Sequence, residues 1–148
     1  MVRYVLAGKS RKLPKAVKSE EFIKLIQATP KKDKVARVAF ILAYGAGLRI
    51  SEVIKLKKEN ISESHIEIWE SKGKVDRTVP LPRGWKQWML NEIPIKRGER
   101  TLQRKFKKYA KLANLQSFYV FHSLRHGFAT RCVENGIPIN HIQVLMGH

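Results

Sequence analysis

Residues 65–81 read HIEIWESKGKVDRTVPL, and this stretch decides the fold class. Apolar and polar side chains alternate in 65–69 and again in 77–81, which is the period of a half-exposed strand. The run between them, 71–74, is centred on a glycine and is typical of a tight turn. The stretch therefore predicts one antiparallel β-hairpin with a lysine-rich tip.

The segments before and after the hairpin have the spacing of helices, with apolar residues recurring three and four positions apart. Ser19 is placed to cap the first of these helices. The predicted helices cover about 20–28, 33–44, 102–113 and 122–134, with a further turn starting at 51 and a last helix opened by Pro138. The sequence therefore predicts an α+β fold that is mainly α, with a small antiparallel β-sheet formed by the hairpin.

The charge balance points to a polyanionic partner. The chain has 148 residues with 30 Lys+Arg against 12 Asp+Glu, and a formal net charge of +18. A folded domain this basic most often binds nucleic acid. No apolar run approaches the roughly 20 residues of a membrane span, and no signal peptide opens the chain. We therefore expect a cytoplasmic protein that binds nucleic acid and has no membrane partner.

The length suits one domain with a short extension. Residues 1–18 are basic and show little periodicity, so we expect a lead-in or linker there and one folded domain over 19–148. The single cysteine, Cys132, excludes an internal disulfide framework and a multi-cysteine zinc site. We expect no structural metal.

Two cationic side chains stand in positions suited to a phosphate. Gly45 and Gly47 allow a tight turn that places Arg49 at the start of a helix, where terminal N–H groups also attract anions. Lys72, on the hairpin tip, could enter a minor groove or donate a proton to a leaving alkoxide. The ordinary alternatives are a surface arginine after a loop and a solvated lysine that nothing distinguishes from Lys74.

Histidines provide the other candidates. His122 and Arg125 are three positions apart, so one helix face carries an acid–base group and a permanent cation. His126 follows His122 by four positions, a spacing that metal pairs use. The glutamate of the zinc-protease motif is absent and no third ligand stands out, which favours a packing role for His126. His148 follows Gly147 after the last helix, and its position alone suggests no function.

In chain order these motifs form a series. It consists of GLRISE at 47–52, KG at 72–73 followed by RTVPL at 77–81, HSLRHGFAT at 122–130 and LMGH at 145–148. The series resembles the catalytic domain of the tyrosine recombinase (phage integrase) family, from about residue 13 to the end of the chain. The resemblance implies the following roles: Arg49 as the first catalytic arginine, Lys72 as the hairpin lysine, His122 and Arg125 as the His-x-x-Arg pair, His148 as the last histidine, and Glu52 as a buried acidic residue supporting the Arg49 turn.

The resemblance also implies a reaction. In the family a tyrosine attacks a phosphate of double-stranded DNA, without metal or cofactor, and leaves a 3′-phosphotyrosyl link and a free 5′-hydroxyl. Family members self-associate on DNA as a tetrameric synapse. Their tyrosine follows the Gly-His motif, whereas this chain ends at His148. We therefore expect 19–148 to be a catalytic domain truncated before its nucleophile and inactive alone in covalent cleavage. Tyr44 and Tyr109 lie on apolar stripes and are predicted core residues.

Two other classes of DNA-binding protein also fit the motif series. A type IB topoisomerase uses a similar constellation of residues, and a truncated recombinase could bind DNA without catalysis. A metal-dependent nuclease is disfavoured because clustered carboxylates are lacking. The sequence does not decide between a viral or plasmid integrase and a chromosome-dimer resolvase. The many lysines and single cysteine favour a thermophilic source, and of the two we favour a viral or plasmid integrase of archaeal type.

Overall fold

The structure is a computed structural model, and it describes residues 15–69 and 73–148. Within these ranges the chain is mainly helical with one two-stranded antiparallel sheet, which confirms the predicted fold class. None of the helices described is both long and apolar enough to cross a bilayer. The elements are α1 (Ser19–Ala28), α2 (Lys34–Ala46), α3 (Ile50–Lys55), β1 (His65–Trp69), β2 (Val75–Pro80), α4 (Glu99–Leu112), α5 (His122–Glu134) and α6 (Ile139–Met146), with short 3-10 turns at Lys58–Asn60 and Gln87–Glu92.

Helix α2 forms the centre of the core because most of its side chains are apolar or small. Asp33 begins the helix, since its Oδ1 accepts a hydrogen bond from the backbone N–H of Ala36 (3.2 Å). Phe40 is fully buried, and its ring centroid lies 5.9 Å from that of Phe106 and 6.1 Å from that of Phe121. Burial of each such ring stabilises the fold by about 1.5–3 kcal/mol. Helix α2 is therefore packed between α4 and the start of α5.

Helix α5 packs closely against α2 because a glycine lies at their contact. A Cβ atom on Gly127 would come within 2.6 Å of the carbonyl oxygen of Val17 and 2.8 Å of the Tyr44 ring. Val17 is buried, and its N–H donates to the carbonyl oxygen of Ser123 (3.2 Å). The end of the predicted lead-in thus packs against α5, while residues 1–14 lie outside the described residues.

Helix α1 begins one residue earlier than the sequence predicts. Ser19 is its first residue, and Lys18 precedes it with a backbone N–H that donates to the carboxylate of Glu21 (2.9 Å). The Oγ atom of Ser19 lies 3.1 Å from the hydroxyl oxygen of Tyr44. The predicted serine cap is therefore wrong, because this hydroxyl bonds to the core instead of to the helix backbone.

The hairpin presents one buried face to the helices. Strands β1 and β2 pair antiparallel with Ile66 opposite Val79, and both residues are buried together with Ile68. Arg77 stands opposite Ile68 on the same inward face and is only 5% exposed. The predicted hairpin is confirmed, and residues 70–72 at its tip lie outside the described part of the chain.

Candidate active site

Four of the candidate side chains lie at the ends of three helices. Arg49 immediately precedes α3, His122 is the first residue of α5, and Arg125 lies one turn further along α5. His148 comes directly after the glycine that ends α6. The Nη2 atom of Arg125 lies 3.5 Å from Nε2 of His148, so the ends of α5 and α6 meet.

Arg125 is buried and connects the other two helix ends. Its Nη1 donates to the carbonyl oxygen of Gly47 (2.7 Å), in the turn before Arg49. Its Nη2 donates to the carbonyl oxygen of Met146 (2.7 Å), at the end of α6. Hydrogen bonds from a charged donor are shorter and stronger than neutral ones. Arg125 therefore fixes the position of the Arg49 turn relative to the turn that carries His148.

The turn before α3 holds Arg49. Gly47 has a φ angle of +75°, and a Cβ atom there would lie 2.5 Å from the Phe128 ring, so only glycine fits this turn. The backbone N–H of Arg49 donates to Oε1 of Glu52 (2.9 Å), and its Nη1 donates to Oε2 (3.0 Å). The Arg49 side chain is 38% exposed and lines an open cleft of about 340 Å³. The carboxylates of Glu52, Glu67 and Asp76 also line this cleft, whereas His122, Arg125 and His148 do not. The exposed part of the Arg49 guanidinium can contact an anion beside the cleft.

Both histidines lie in the positive field of these arginines. Desolvation lowers the pKa of His122 below its ordinary 6.5, and the charges of Arg125 and Arg49 lower it further. Desolvation also lowers the pKa of His148, with further contributions from Arg125, Arg49 and Arg77. The same two guanidinium groups therefore act on both imidazoles. Near pH 7 both rings are neutral and can accept a proton or a hydrogen bond.

His126 packs against His122. The two ring centroids are 4.6 Å apart and the rings meet edge to face at 84°. Desolvation, followed by the charges of His122 and Arg125, lowers the pKa of His126 to about 4. In the ranges that the structure describes, no three His, Cys, Asp or Glu side chains come together in a way that could hold a metal ion.

Arg77 belongs to the site, and the sequence interpretation missed it. Its Nη1 and Nη2 donate to the two carboxylate oxygens of Glu52, each at 2.8 Å, and its Nε donates to the carbonyl oxygen of Leu145 (2.7 Å). Burial alone would raise the pKa of Glu52, but hydrogen bonds from Arg77 and from the backbone of Arg49 hold it below 4.5. The available signal was the strand alternation, which places Arg77 on the inward face with Val79.

Comparison with known proteins identifies the family. A family model described as the phage integrase family matches residues 15–148. This chain belongs to the phage integrase family. The tyrosine recombinase XerA of Thermococcus onnurineus (strain NA1) is 35% identical over 93% of this chain and 55% of the relative. The tyrosine recombinase XerC of Chlamydia trachomatis serovar L2 is 31% identical over 93% of this chain and 51% of the relative. The chain thus spans about half the length of these curated relatives.

Solved structures of other proteins share the fold of this phage integrase family member. The crystal structure of XerA recombinase matches with a TM-score of 0.76 at 24% identity, covering 93% of this chain and 57% of that one. The catalytic core of lambda integrase matches with a TM-score of 0.68 at 21% identity, covering 90% of this chain and 91% of that one. These matches confirm the tyrosine recombinase catalytic-domain fold that the motif series implies.

One candidate residue of this family member, Lys72, lies outside the described residues. The structure shows that β1 ends at Trp69 and β2 begins at Val75, so the lysine belongs to the connection between the strands. Gly73, next to it, has a φ angle of +81°, which suits a tight turn. The chemical role of Lys72 stays a prediction.

The three tyrosines that the structure describes are buried, which confirms the predicted core positions of Tyr44 and Tyr109. Their hydroxyl partners are Ser19 Oγ (3.1 Å) for Tyr44, Asp33 Oδ2 (2.5 Å) for Tyr109 and Glu21 Oε1 (2.6 Å) for Tyr119. The hydrogen bond to Asp33, with burial, raises the pKa of Tyr109 to about 12. Each of these hydroxyls is therefore bonded to a side chain of another segment of the fold.

Proposed function

We propose that this chain is the catalytic domain of a site-specific DNA recombinase, which cleaves and rejoins DNA strands through a 3′-phosphotyrosyl intermediate. The observation that carries the proposal is the meeting of Arg49, His122, Arg125 and His148 at three helix ends. Membership of the phage integrase family and the names of the recombinase relatives support it.

The two arginines supply fixed positive charge to the reacting phosphate. Negative charge grows on the oxygens of a pentacoordinate phosphorane, and donors that are already oriented stabilise it most. Arg125 is oriented by the carbonyl oxygens of Gly47 and Met146. Arg49, more exposed and anchored through Nη1 to Glu52, contacts the phosphate with the exposed part of its guanidinium.

In this proposal His122 and Lys72 carry out the proton transfers. The tyrosine oxygen attacks phosphorus while its proton passes to His122, whose lowered pKa keeps the imidazole neutral and able to accept it. The bond from phosphorus to the 5′-oxygen breaks, and that oxygen takes a proton from the ammonium group of Lys72. His148 donates a hydrogen bond to a non-bridging oxygen. Rejoining runs through the same groups in reverse.

The described tyrosines do not serve as the nucleophile in this proposal. Tyr44, Tyr109 and Tyr119 are buried, with hydroxyls bonded to side chains of the core. We expect none of these three tyrosines to form a covalent adduct with a nicked suicide substrate on a denaturing gel. A shifted protein–DNA band that disappears in a Tyr→Phe variant at one of these positions would contradict this assignment.

The partner we propose is double-stranded DNA, with self-association into a tetrameric synapse on it. The net charge of +18 suits a polyanion. Among proteins of this fold, lambda integrase has been solved bound to DNA, and as a tetramer bound to a Holliday junction. Helix α4 supplies a basic surface through exposed side chains at Arg100, Arg104, Lys107, Lys108 and Lys111.

The biological setting we propose is integration of a viral or plasmid genome. Structures with this fold include lambda integrase and the integrase of mycobacterium phage Brujita, although XerA recombinase shares it too. The recombinase and integrase names of these proteins favour site-specific recombination over the activity of a type IB topoisomerase or a truncated protein without catalysis.

The rejoining half-reaction tests the proposal without requiring a tyrosine from this chain. The substrate is a nicked duplex with a 3′-(p-nitrophenyl phosphate) facing a 5′-hydroxyl, with randomised base pairs around the nick. The 5′-oxygen attacks phosphorus, the bond to p-nitrophenolate breaks, and the hydroxyl proton passes to Lys72 in its neutral form or to water. Absorbance follows the released phenolate, and a denaturing gel follows the sealed strand.

We expect the wild-type chain to seal this nick, and Arg49→Gln to slow sealing about 100-fold because one cation on the phosphorane is lost. Arg125→Lys keeps the charge but cannot reach both carbonyl oxygens, and it should slow sealing similarly. The matched control is Arg37→Lys, since Arg37 also donates to two carbonyl oxygens, those of Ile26 and Thr29. No sealing by the wild type, or equal sealing by Arg49→Gln, would overturn the proposed function.

A further inference from the structure

We propose that Arg77 is a positioning residue of the phosphate site: it holds Glu52 so that Arg49 stays available to the phosphate, and it holds the end of α6 that carries His148. This inference rests on the proposed function. Arg77 does not itself reach the cleft, because its side chain is only 1% exposed.

The first part of the inference follows from how Glu52 is shared. Arg77 donates through Nη1 and Nη2 to the two carboxylate oxygens of Glu52, each at 2.8 Å. This bidentate geometry is the strongest for an arginine–carboxylate pair. Arg49 reaches the same carboxylate through a single nitrogen at 3.0 Å. Without Arg77, the carboxylate would be left with Arg49 as its cation. Arg49 would then form a neutral ion pair with Glu52 and would no longer be available to bind the phosphate.

The second part follows from the end of α6. The last carbonyl oxygens of a helix have no partner within the helix and need donors from elsewhere. Arg77 donates to the carbonyl oxygen of Leu145 and Arg125 to that of Met146, both at 2.7 Å. A cation at this end also complements the helix dipole. The two arginines therefore clamp the last turn of α6, two residues before His148.

Gly147 packs directly against the Arg77 side chain. Gly147 has a φ angle of +77°, and a Cβ atom there would lie 2.7 Å from Nη1 of Arg77 and 3.2 Å from Oδ2 of Asp76. Asp76 itself accepts a hydrogen bond from the same Nη1 at 3.1 Å. The turn that presents His148 thus rests directly on the Arg77 guanidinium.

The test uses the whole chain and two measurements on each variant. Hydrogen exchange by NMR follows the amides of Gly147 and His148, which donate to the carbonyl oxygens of Val144 and Gln143. A titration with inorganic sulfate follows the side-chain resonances of Arg49 and of His148. The variants are Arg77→Gln, Arg77→Lys as the conservative change, and the double variant with Glu52→Gln. Arg37→Lys is the matched control, and thermal unfolding checks that each variant folds.

We expect Arg77→Gln to speed exchange at residues 147 and 148 about tenfold and to weaken sulfate binding at the site about fivefold, equivalent to the loss of one hydrogen-bonded contact. Adding Glu52→Gln should recover about half of the lost affinity, because the competing carboxylate charge is gone. If Arg77→Gln does not fold, Arg77→Lys is expected to show the same two effects, since lysine lacks the two-pronged geometry. The control should stay within about twofold of wild type.

The inference is overturned if the Arg77 variants match the control in both measurements, or if Glu52→Gln brings no recovery in the Arg77→Gln background. Absence of sulfate binding at Arg49 and His148 in the wild type would overturn the proposed function and, with it, the positioning role. Exchange at Gly147 is measured without any ligand, so it still reports whether Arg77 holds the end of α6. The two failures are therefore distinguishable.

Discussion

At the scale of single residues, the site combines two arginines that are held in opposite ways. Arg125 is 3% exposed and bonds to backbone carbonyl oxygens on two other segments, so its guanidinium has one orientation. The side chain of Arg49 is 38% exposed and anchored by one nitrogen, so it can adjust to a ligand. A rigid cation and an adjustable one next to neutral histidines suit a phosphate whose charge changes during the reaction.

A prediction at this scale concerns His126. Its pKa of about 4 in the fold lies below 6.5, so between these values the unfolded chain binds the proton more readily. The contribution of His126 to the free energy of unfolding is therefore fully present above pH 6.5. It decreases by about 1–3 kcal/mol as the pH drops towards 4. Urea unfolding across this range should show a shallower fall for His126→Gln. The matched control is His141→Gln, at an exposed histidine; equal slopes for the two variants would contradict the prediction.

At the scale of elements, the periodic segments could be predicted and the contacts between them could not. Alternation in the hairpin and the apolar stripes of α2 and α4 follow from local spacing alone. Arg77 was missed because a charged residue in a strand is usually assigned to solvent, whereas Glu52, 25 positions earlier, makes its burial favourable. Arg125 could be placed on α5, but its bonds to Gly47 and Met146 depend on how three helices pack.

The turn before α3 provides a prediction at this scale. Gly47→Ala forces alanine into a φ angle of +75° and pushes its Cβ to 2.5 Å from the Phe128 ring. Gly136→Ala is the matched control, because Gly136 has a φ angle of +77° with open space around it. We expect the control to lose about 1 kcal/mol of unfolding free energy and Gly47→Ala about 2–4 kcal/mol. Chemical denaturation measures both, and equal losses would show that the Phe128 contact does not constrain the turn.

At the scale of the whole molecule, charge and fold have separate roles. The net charge of +18 suits any polyanion, while in the proposed function the meeting of the helix ends is what selects one phosphate. Sequence composition alone therefore predicted nucleic acid as the partner, and only the ordered motif series predicted what is done to it. The candidate residues are up to 99 positions apart, from Arg49 to His148, so local patterns could not show that they converge.

Duplex binding should depend steeply on salt. Each phosphate neutralised by the protein contributes about −0.9 to the slope of log K against log salt concentration. With the basic side chains spread over the surface, we expect a slope of about −4 or steeper for a short duplex, and little dependence on its sequence. Fluorescence anisotropy at a series of salt concentrations measures the slope. Binding that is insensitive to salt would rule out phosphate contacts as its source.

A phosphate site shared by Arg49, Arg125 and His148 is tested most directly by a crystal structure of the chain soaked with tungstate, a heavy phosphate analogue that anomalous scattering locates. We predict one tungstate where the start of α5 and the end of α6 meet, within hydrogen-bond distance of the guanidinium groups of Arg49 and Arg125 and of the His148 imidazole. In Arg49→Gln crystals soaked in the same way, the anomalous peak should weaken or vanish. Guanidinium groups of Arg49 and Arg125 turned to different faces, or tungstate bound only elsewhere on the surface, would contradict a shared phosphate site.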